Sequence, residues 1–254
     1  MISPTEIDPI IQGLIHDIKE KQSEDGAFRY CFESGPMTDA NMIIILRVLD
    51  YNDEDLIKKL VHRLLSTQQS NGAWKLYDDT TGHLSATVEA YTALLFSGYA
   101  NRSDGNMKKA ESFILDHGGL KNTHVSTKFM LALNGLYPWP NIFPFPLFII
   151  HSPSIFPFSF YKFSTYVRAH FAPVLILGHK RFITKNRWTP DLSHLLPRKR
   201  KNVKKWRKLL STLFSKKFFA KSACRKAESQ MLKGVGDDGI LFTQTSHLNK
   251  LVYP

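Results

Sequence analysis

A chain of 254 residues with 43% hydrophobic and 22% charged residues can bury a sizeable core, which excludes general disorder and bounds the fold at one large or two small domains. Its formal net charge of +12 is concentrated: between Lys180 and Lys233 eighteen Lys or Arg are opposed only by Asp191 and Glu228, and the remainder is slightly acidic. So local an excess calls for an anionic partner on one face, either phosphate or a membrane surface.

The first residues, Met1 to Pro9, show no basic stretch followed by an apolar run, so nothing marks a secretory signal. Cys31 and Cys224 are the only cysteines and have no Cys or His at metal spacing; they read as reduced thiols of a cytosolic chain. No run of about 18 apolar residues is present to span a bilayer, although lying on one remains open.

Taken in order, Ile10, Ile11, Leu14, Ile15 and Ile18 predict an amphipathic helix from Ile10 to Lys21, with Pro9 in its first turn. A second helix, Thr38–Asp50, carries a run from Met42 to Val48 so apolar that it must be buried. Asn52 is expected to cap a third, Asp53–Thr67, whose Asp53-Glu54-Asp55 start suits the positive end of the helix dipole. Leu84–Gly98, Asn106–His117 and Thr123–Leu136 follow, closed by Gly98, by Gly118-Gly119, and by Gly135 with Pro138. No stretch alternates with period two. The fold class is all-α.

From Tyr137 to Pro173 the pattern breaks, because seven prolines are interleaved with Trp139 and many Phe. Such density forbids a long helix between Pro138 and Pro157 and predicts an apolar, aromatic excursion, with helix resuming near Phe160 to His170. Within the basic segment 180–233, residues 198–208 are expected to be a loop leading into a helix from about Val203 to Phe219. The tail 243–254 is polar and without a period.

Two turns organise these helices. Gln68-Gln69-Ser70-Asn71-Gly72-Ala73-Trp74 reads Gln-x-x-x-Gly-x-aromatic, and Gln22-Ser23-Glu24-Asp25-Gly26-Ala27-Phe28 is a weaker copy. Gln22 to Gln68, Gly26 to Gly72 and Phe28 to Trp74 are each separated by 46 residues, the signature of a repeat architecture. Fainter copies surround Gly118 and Gly236-Asp237-Asp238-Gly239. A Gln amide at a helix end can satisfy carbonyls of its own helix and amide N–H groups of the next; Gly permits the positive φ of a tight reversal, and the aromatic covers the Gln. Each copy is therefore expected to act as a rivet between successive outer helices.

These turns resemble the QW repeats of the squalene–hopene and related triterpene cyclases, the class II terpene cyclases. His83-Leu84-Ser85-Ala86-Thr87-Val88-Glu89-Ala90-Tyr91 is similar to that family's Leu-x-x-Thr-x-Glu-Ala-Tyr helix. His117-Gly118-Gly119, Thr127-Lys128, Leu131-Ala132-Leu133, Tyr137-Pro138-Trp139 and the Phe163–Ala169 segment resemble later blocks, in order, over residues 10–242. The nearest likeness is to the bacillar sporulenol synthase type, which acts on thirty-five-carbon polyprenes. The resemblance implies an α/α toroid with inner and outer helices and peripheral attachment to a membrane surface. It further implies a linear polyprenyl hydrocarbon as substrate, such as squalene, and neither metal nor cofactor. Family members protonate the polyene with an Asp-x-Asp-Asp motif in their second half, and aromatic faces stabilise the resulting cations. Tyr166 falls where the family places an aromatic of the substrate cavity.

The chain departs from that pattern in length and in chemistry. No Asp-x-Asp-Asp occurs: Asp53-Glu54-Asp55 reads as a helix start, and Asp78-Asp79 and Asp237-Asp238 read as turns. The expectation is an amino-terminal cyclase portion over residues 1–242 with a divergent tail, inactive alone, arising from a premature stop or as a genuine short paralogue. No catalytic residue is therefore assigned. Three other readings stand beside this one. A non-catalytic helical-repeat binding module at the membrane surface keeps the fold without the reaction. A nucleic-acid binder would rest on residues 198–208 but lacks base-reading motifs. A zinc prenyltransferase toroid finds no suitable ligands near Cys31 or Cys224, and His16, His62 and His170 read as surface or core residues. The sequence leaves a homodimer open.

Overall fold

The computed structural model describes residues 4–26, 35–51, 53–76, 81–139, 162–163 and 165–196, with positions 225, 228, 229, 231 and 232. Helices α1 (Pro4–Glu20), α2 (Pro36–Val48), α3 (Glu54–Thr67), α4 (Leu84–Ser97), α5 (Gly105–Asp116), α6 (Val125–Leu133) and α7 (Thr165–Lys180) follow in chain order, and no strand occurs among the described residues. The chain divides into two units, Met1–Ser34 and Gly35–Pro254.

In the first unit α1 starts six residues earlier than the apolar stripe suggests. Pro4 takes the first-turn position and Pro9 lies inside the helix, where it costs one intrahelical hydrogen bond. The stripe Ile7, Ile10, Ile11, Leu14, Ile15 and Ile18 is exposed.

In the second unit the helices alternate between two layers. α2 packs on α4, and α4 meets α6; α3 flanks α2 and α4, while α5 flanks α4. The even-numbered helices thus form the inner row, as the composition of α4 requires: every residue from Ser85 to Ser97 except Leu95 is buried. A helix apolar on all sides belongs inside, whereas α3 buries only the stripe Ile57, Val61 and Leu64. Together with Ile43, Ile44, Phe96, Met107, Ile114 and Leu131, these residues form one core.

The ends of the helices follow local chemistry. Asp53, not Asn52, caps α3, accepting the Leu56 amide at 3.0 Å; Asn52 lies outside the described residues. Gly98 closes α4 at φ 80°, the expected left-handed cap. α5 begins at Gly105, and α6 ends at Leu133, earlier than the sequence pattern suggests, because Asn134 turns back onto the Met130 carbonyl at 2.9 Å. Histidine supplies two caps that residue preference would not single out. Nδ1 of His83 accepts the Ala86 amide at the start of α4, and His124 does the same for Ser126 at the start of α6.

α7 is the helix expected to resume near Phe160 to His170; it begins at Thr165 and runs on through Pro173 to Lys180. Residues 140–161 of the excursion, the helix expected over 203–219 and the tail lie outside the described residues. After α7 the chain runs as a strap, residues 181–196, ending in a 3₁₀ turn at Ser193–Leu195.

Candidate functional site

The turn that links outer helices is built as a rivet, with its bonds distributed differently from expectation. Gln68 Nε2 donates to the Gly72 carbonyl at 2.9 Å and, across the layer, to the Asn106 carbonyl in the first turn of α5 at 3.1 Å. Its bonds are thus to the turn and to the neighbouring helix, through carbonyls and not amides. A last-turn carbonyl of α3 is instead reached by the ring: Trp74 Nε1 donates at 2.7 Å to Leu64 O, which also accepts the Thr67 hydroxyl at 3.1 Å, and the indole is fully buried. The Trp74 amide donates to Thr87 Oγ1 at 3.0 Å, which fastens the same turn to α4. Gly72 sits at φ 87°, and a side chain there would run into the backbone of Lys109 and Ala110, so the turn reverses directly against α5.

In the upstream copy Gln22 Nε2 donates to Gly26 O at 2.8 Å, and Gly26 has φ 80°. The two turns share this bond, a second from the Gly amide to the carbonyl three residues back (Gly72 to Gln69 O at 2.9 Å, Gly26 to Ser23 O at 2.8 Å), and one backbone conformation. Phe28 lies outside the described residues.

Among the inner helices the structure brings together a polar junction that the sequence reading quoted within a motif but did not single out. Glu89 of α4 is 2% exposed. Its carboxylate accepts Thr127 Oγ1 of α6 at 2.6 Å and Asn41 Nδ2 of α2 at 3.4 Å. Burial pushes its pKa up from 4.5 to about 7, and the two hydrogen bonds offset only part of that rise. The inner layer therefore contains a carboxyl group that exchanges its proton near neutrality. The signal available in sequence was a Glu on a helix apolar all round, where an exposed position does not exist.

A second polar node closes one end of α2. Arg47, 1% exposed, holds Glu54 through two bonds of 2.6 and 3.0 Å and donates to Ser97 O at 2.6 Å. Its guanidinium lies 3.8 Å from the centre of the Trp188 ring. Hydrogen bonds from Arg47 and Tyr99 hold the Glu54 carboxyl down at about 2.

A third node joins α4, α5 and the strap. The Tyr91 hydroxyl lies 3.0 Å from His194 Nε2, while Glu111 is clamped by Arg102 at 2.6 and 2.8 Å. Neither the Arg47 nor the His194 node was legible beforehand, since each is assembled from residues far apart in the chain.

Other residues raised by the sequence fall as follows. Tyr166 lies in the first turn of α7, and its side chain lies outside the described residues. Asp53, Glu54 and Asp55 form the start of α3. His16 and His62 are exposed. Asp78-Asp79, Asp237-Asp238, Cys31 and Cys224 lie outside the described residues. Among the described residues no cluster of His, Cys, Asp and Glu has the spacing of a metal site. No helix among them is long and apolar enough to cross a membrane.

Comparison with known proteins bears on this scaffold directly. The family model described as the squalene-hopene cyclase N-terminal domain matches residues 11–240. Sporulenol synthase of Bacillus subtilis is 38% identical over 257 residues, covering 94% of this chain and 40% of the relative. Squalene–hopene cyclase of Alicyclobacillus acidocaldarius is 32% identical over 148 residues, covering 58% of this chain and 23% of the relative. The Zymomonas mobilis enzyme of the same name is 28% identical over 217 residues, covering 82% of the chain and 32% of the relative. The chain thus spans less than half the length of these relatives. With inner and outer helices alternating as in an α/α toroid, and the family's amino-terminal domain matched over most of its length, the chain belongs to the squalene–hopene cyclase family.

Proposed function

We propose that this chain is the amino-terminal scaffold of a polyprenyl cyclisation chamber, acting on a linear hydrocarbon of the squalene or thirty-five-carbon polyprene class. The observation that carries the reading is the riveted alternation of inner and outer helices, held by Gln68, Gly72 and Trp74, within a family match over residues 11–240. Gln22, Gly26 and Phe28 are the corresponding rivet upstream, and Tyr166 contributes an aromatic face to the chamber.

In this reading the chain shapes and lines the cavity without starting the reaction. Ring closure through cations needs a strong acid held away from water as well as π-faces within reach of developing charge. The 254 residues contain no Asp-x-Asp-Asp, and the Glu89 carboxyl, at about 7, is far too weak to protonate an alkene. No metal or cofactor is required. The excess of positive charge over 180–233 complements an anionic membrane surface, from which an apolar substrate would be drawn.

Two preparations test the proposal: the chain alone, and the chain joined in frame to the carboxyl-terminal part of B. subtilis sporulenol synthase. Each is incubated with squalene and with the longer polyprene, and the products are resolved by gas chromatography with mass detection. The chain alone yields no cyclised product, and the chimera yields one. A product from the chain alone overturns its assignment as an inert scaffold; a folded chimera without product overturns its role in the chamber.

A further inference from the structure

The separation of 46 residues that relates the two turns also relates the helices leading into them. Ile11, Ile15 and Ile18 of α1 stand 46 residues before Ile57, Val61 and Leu64 of α3, and Leu14 stands 46 before Leu60. On α3 that stripe faces the inner row: Ile57 and Leu64 are 0% exposed and Val61 is 6% exposed. Their counterparts on α1 are 43, 40 and 56% exposed. One apolar pattern is therefore buried on one helix and bare on the other.

The turns differ in the same sense. Gly72 lies so close to α5 that a Cβ there would collide with the Lys109 backbone, whereas a Cβ at Gly26 would meet only the Gln22 side chain, at 3.7 Å. Gln68 Nε2 divides its two protons between its own turn and the Asn106 carbonyl of α5. Gln22 Nε2 has the Gly26 carbonyl as its one partner among the described residues. The upstream rivet is closed within itself and open toward a neighbour.

What would complete it can be read from the downstream copy. α3 lies over two inner helices, α2 and α4, and its turn abuts the start of the next outer helix, α5. A helix of α1's kind thus calls for an inner pair beneath its stripe, and for a helix start offering a carbonyl beside Gly26. An anionic lipid surface is the wrong occupant, because α1 carries Glu6, Asp8, Asp17 and Glu20 against Lys19 alone. A source of helices of the right kind is at hand in the family: the chain covers 40% of B. subtilis sporulenol synthase, so more than half of that relative has no counterpart here.

We propose that α1 and the turn Gln22–Gly26 form a docking face for the carboxyl-terminal part of the cyclase. Two of its inner helices cover Ile11, Leu14, Ile15 and Ile18, and the start of one of its outer helices accepts the second Gln22 proton and closes on Gly26. The proposal rests on the assignment of this chain as one part of a cyclisation chamber. It adds the place at which the other part is fastened.

Hydrogen exchange resolved by peptide mass spectrometry, on the chain alone and on its in-frame chimera with the carboxyl-terminal part of B. subtilis sporulenol synthase, tests the docking. Amides of α1 exchange about tenfold or more slowly in the chimera. Ile11→Asp with Ile15→Asp returns them to the rates of the chain alone. The same pair leaves urea unfolding of the chain alone unchanged, because both side chains are already in water there. Leu115→Asp, at an exposed position of α5, affects neither measurement. A second protein gives the readout independently of the chimera's folding: full-length B. subtilis sporulenol synthase with residues 4–26 of this chain grafted over the matching segment. Its grafted α1 is protected, and the paired Asp substitutions remove the protection. An unprotected α1 in the folded chimera or graft, an equal effect of Leu115→Asp, or a dimer of the chain alone that the paired substitutions dissolve overturns the docking face. Cyclised product from a chimera whose α1 is unprotected overturns this inference and leaves the chamber reading standing; a protected α1 without product does the reverse.

Discussion

Replacing Glu89 by Gln isolates the energetics of the inner-helix junction. The carboxyl moves from an ordinary value of 4.5 to about 7 on folding, and burial is the main cause. At about 1.4 kcal/mol per unit, holding the ionised form in the fold costs about 3 kcal/mol relative to the unfolded chain. Because the folded value is raised, the neutral acid is the form the fold prefers. Its contribution is complete below 4.5 and is lost as pH rises through about 7. Gln is isosteric and uncharged, its carbonyl accepts the Thr127 hydroxyl as the carboxylate does, and Asn41 has only to turn its amide over to accept from the new NH₂ group. Urea unfolding followed by far-ultraviolet circular dichroism, at intervals from about pH 5 to about pH 8.5, should show the variant more stable than the native chain by about 2–3 kcal/mol at the alkaline end, the two converging at the acid end. Taking the difference between two chains at each pH cancels the titration of Glu54, Glu111 and His194, which is common to both. Parallel curves across the whole range would refute the argument that Glu89 is buried without a compensating charge.

The other expectations concern the rivet, the arginine node and the charged surface. Trp74→Phe removes the bond to Leu64 O and the second ring of a fully buried indole, so it lowers stability by about 2–4 kcal/mol, measured by the same unfolding. Gly72→Ala combines a left-handed backbone with a collision against α5 and costs about 3 kcal/mol or more; a smaller loss would show that the turn can move off α5. Arg47→Met releases Glu54, whose carboxyl returns from about 2 toward its ordinary 4.5 in a carbon-detected NMR titration; with it goes the stability that Glu54 contributes above its ordinary value and loses as pH falls toward 2. Binding to anionic liposomes is salt-sensitive, with no retention on DNA at equal ionic strength; preferential DNA retention would favour a nucleic-acid partner.

How much was legible in sequence depended on how local the cause was. Spacing of apolar residues placed α3, α4 and α5 within a residue or two, and the separation of 46 residues identified the two turns before any coordinate was known. Local chemistry misled where two signals competed. Pro9 resembled a helix start because proline favours the first turn, yet Pro4 holds that position and the helix carries Pro9 inside. α7 likewise runs through Pro173. The strap was illegible because it has no period, and its anchors are partners far along the chain: Arg47 with Asn186, Tyr91 with His194. Even within the Gln68–Trp74 turn, the bonds of Gln68 and Trp74 fall elsewhere than sequence chemistry suggests. Composition shows that Gln and Trp can both satisfy a helix end, but only geometry decides that the indole reaches Leu64 and the amide reaches Asn106.

That division of roles bears on how scaffold and chemistry relate. The bonds of the Gln68–Trp74 rivet are made between neutral groups, to backbone carbonyls, to the Thr87 hydroxyl and to the Asn71 amide oxygen, so none of them is switched by pH. The inner face, by contrast, carries the one group of that junction whose charge changes near neutrality. A fold fastened from outside by neutral hydrogen bonds does not depend on acid chemistry inside it. The outer rivets can therefore persist in a chain without an Asp-x-Asp-Asp, and the absence of that acid leaves the helical packing of α2 to α6 untouched. Under the proposed function, the chemistry of cyclisation and the stability of the fold are accordingly separable. A variant at Trp74 should lower the stability of the chain without regard to substrate, whereas the chimera with a relative's carboxyl-terminal part should gain chemistry while the Gln68–Trp74 turn keeps its bonds.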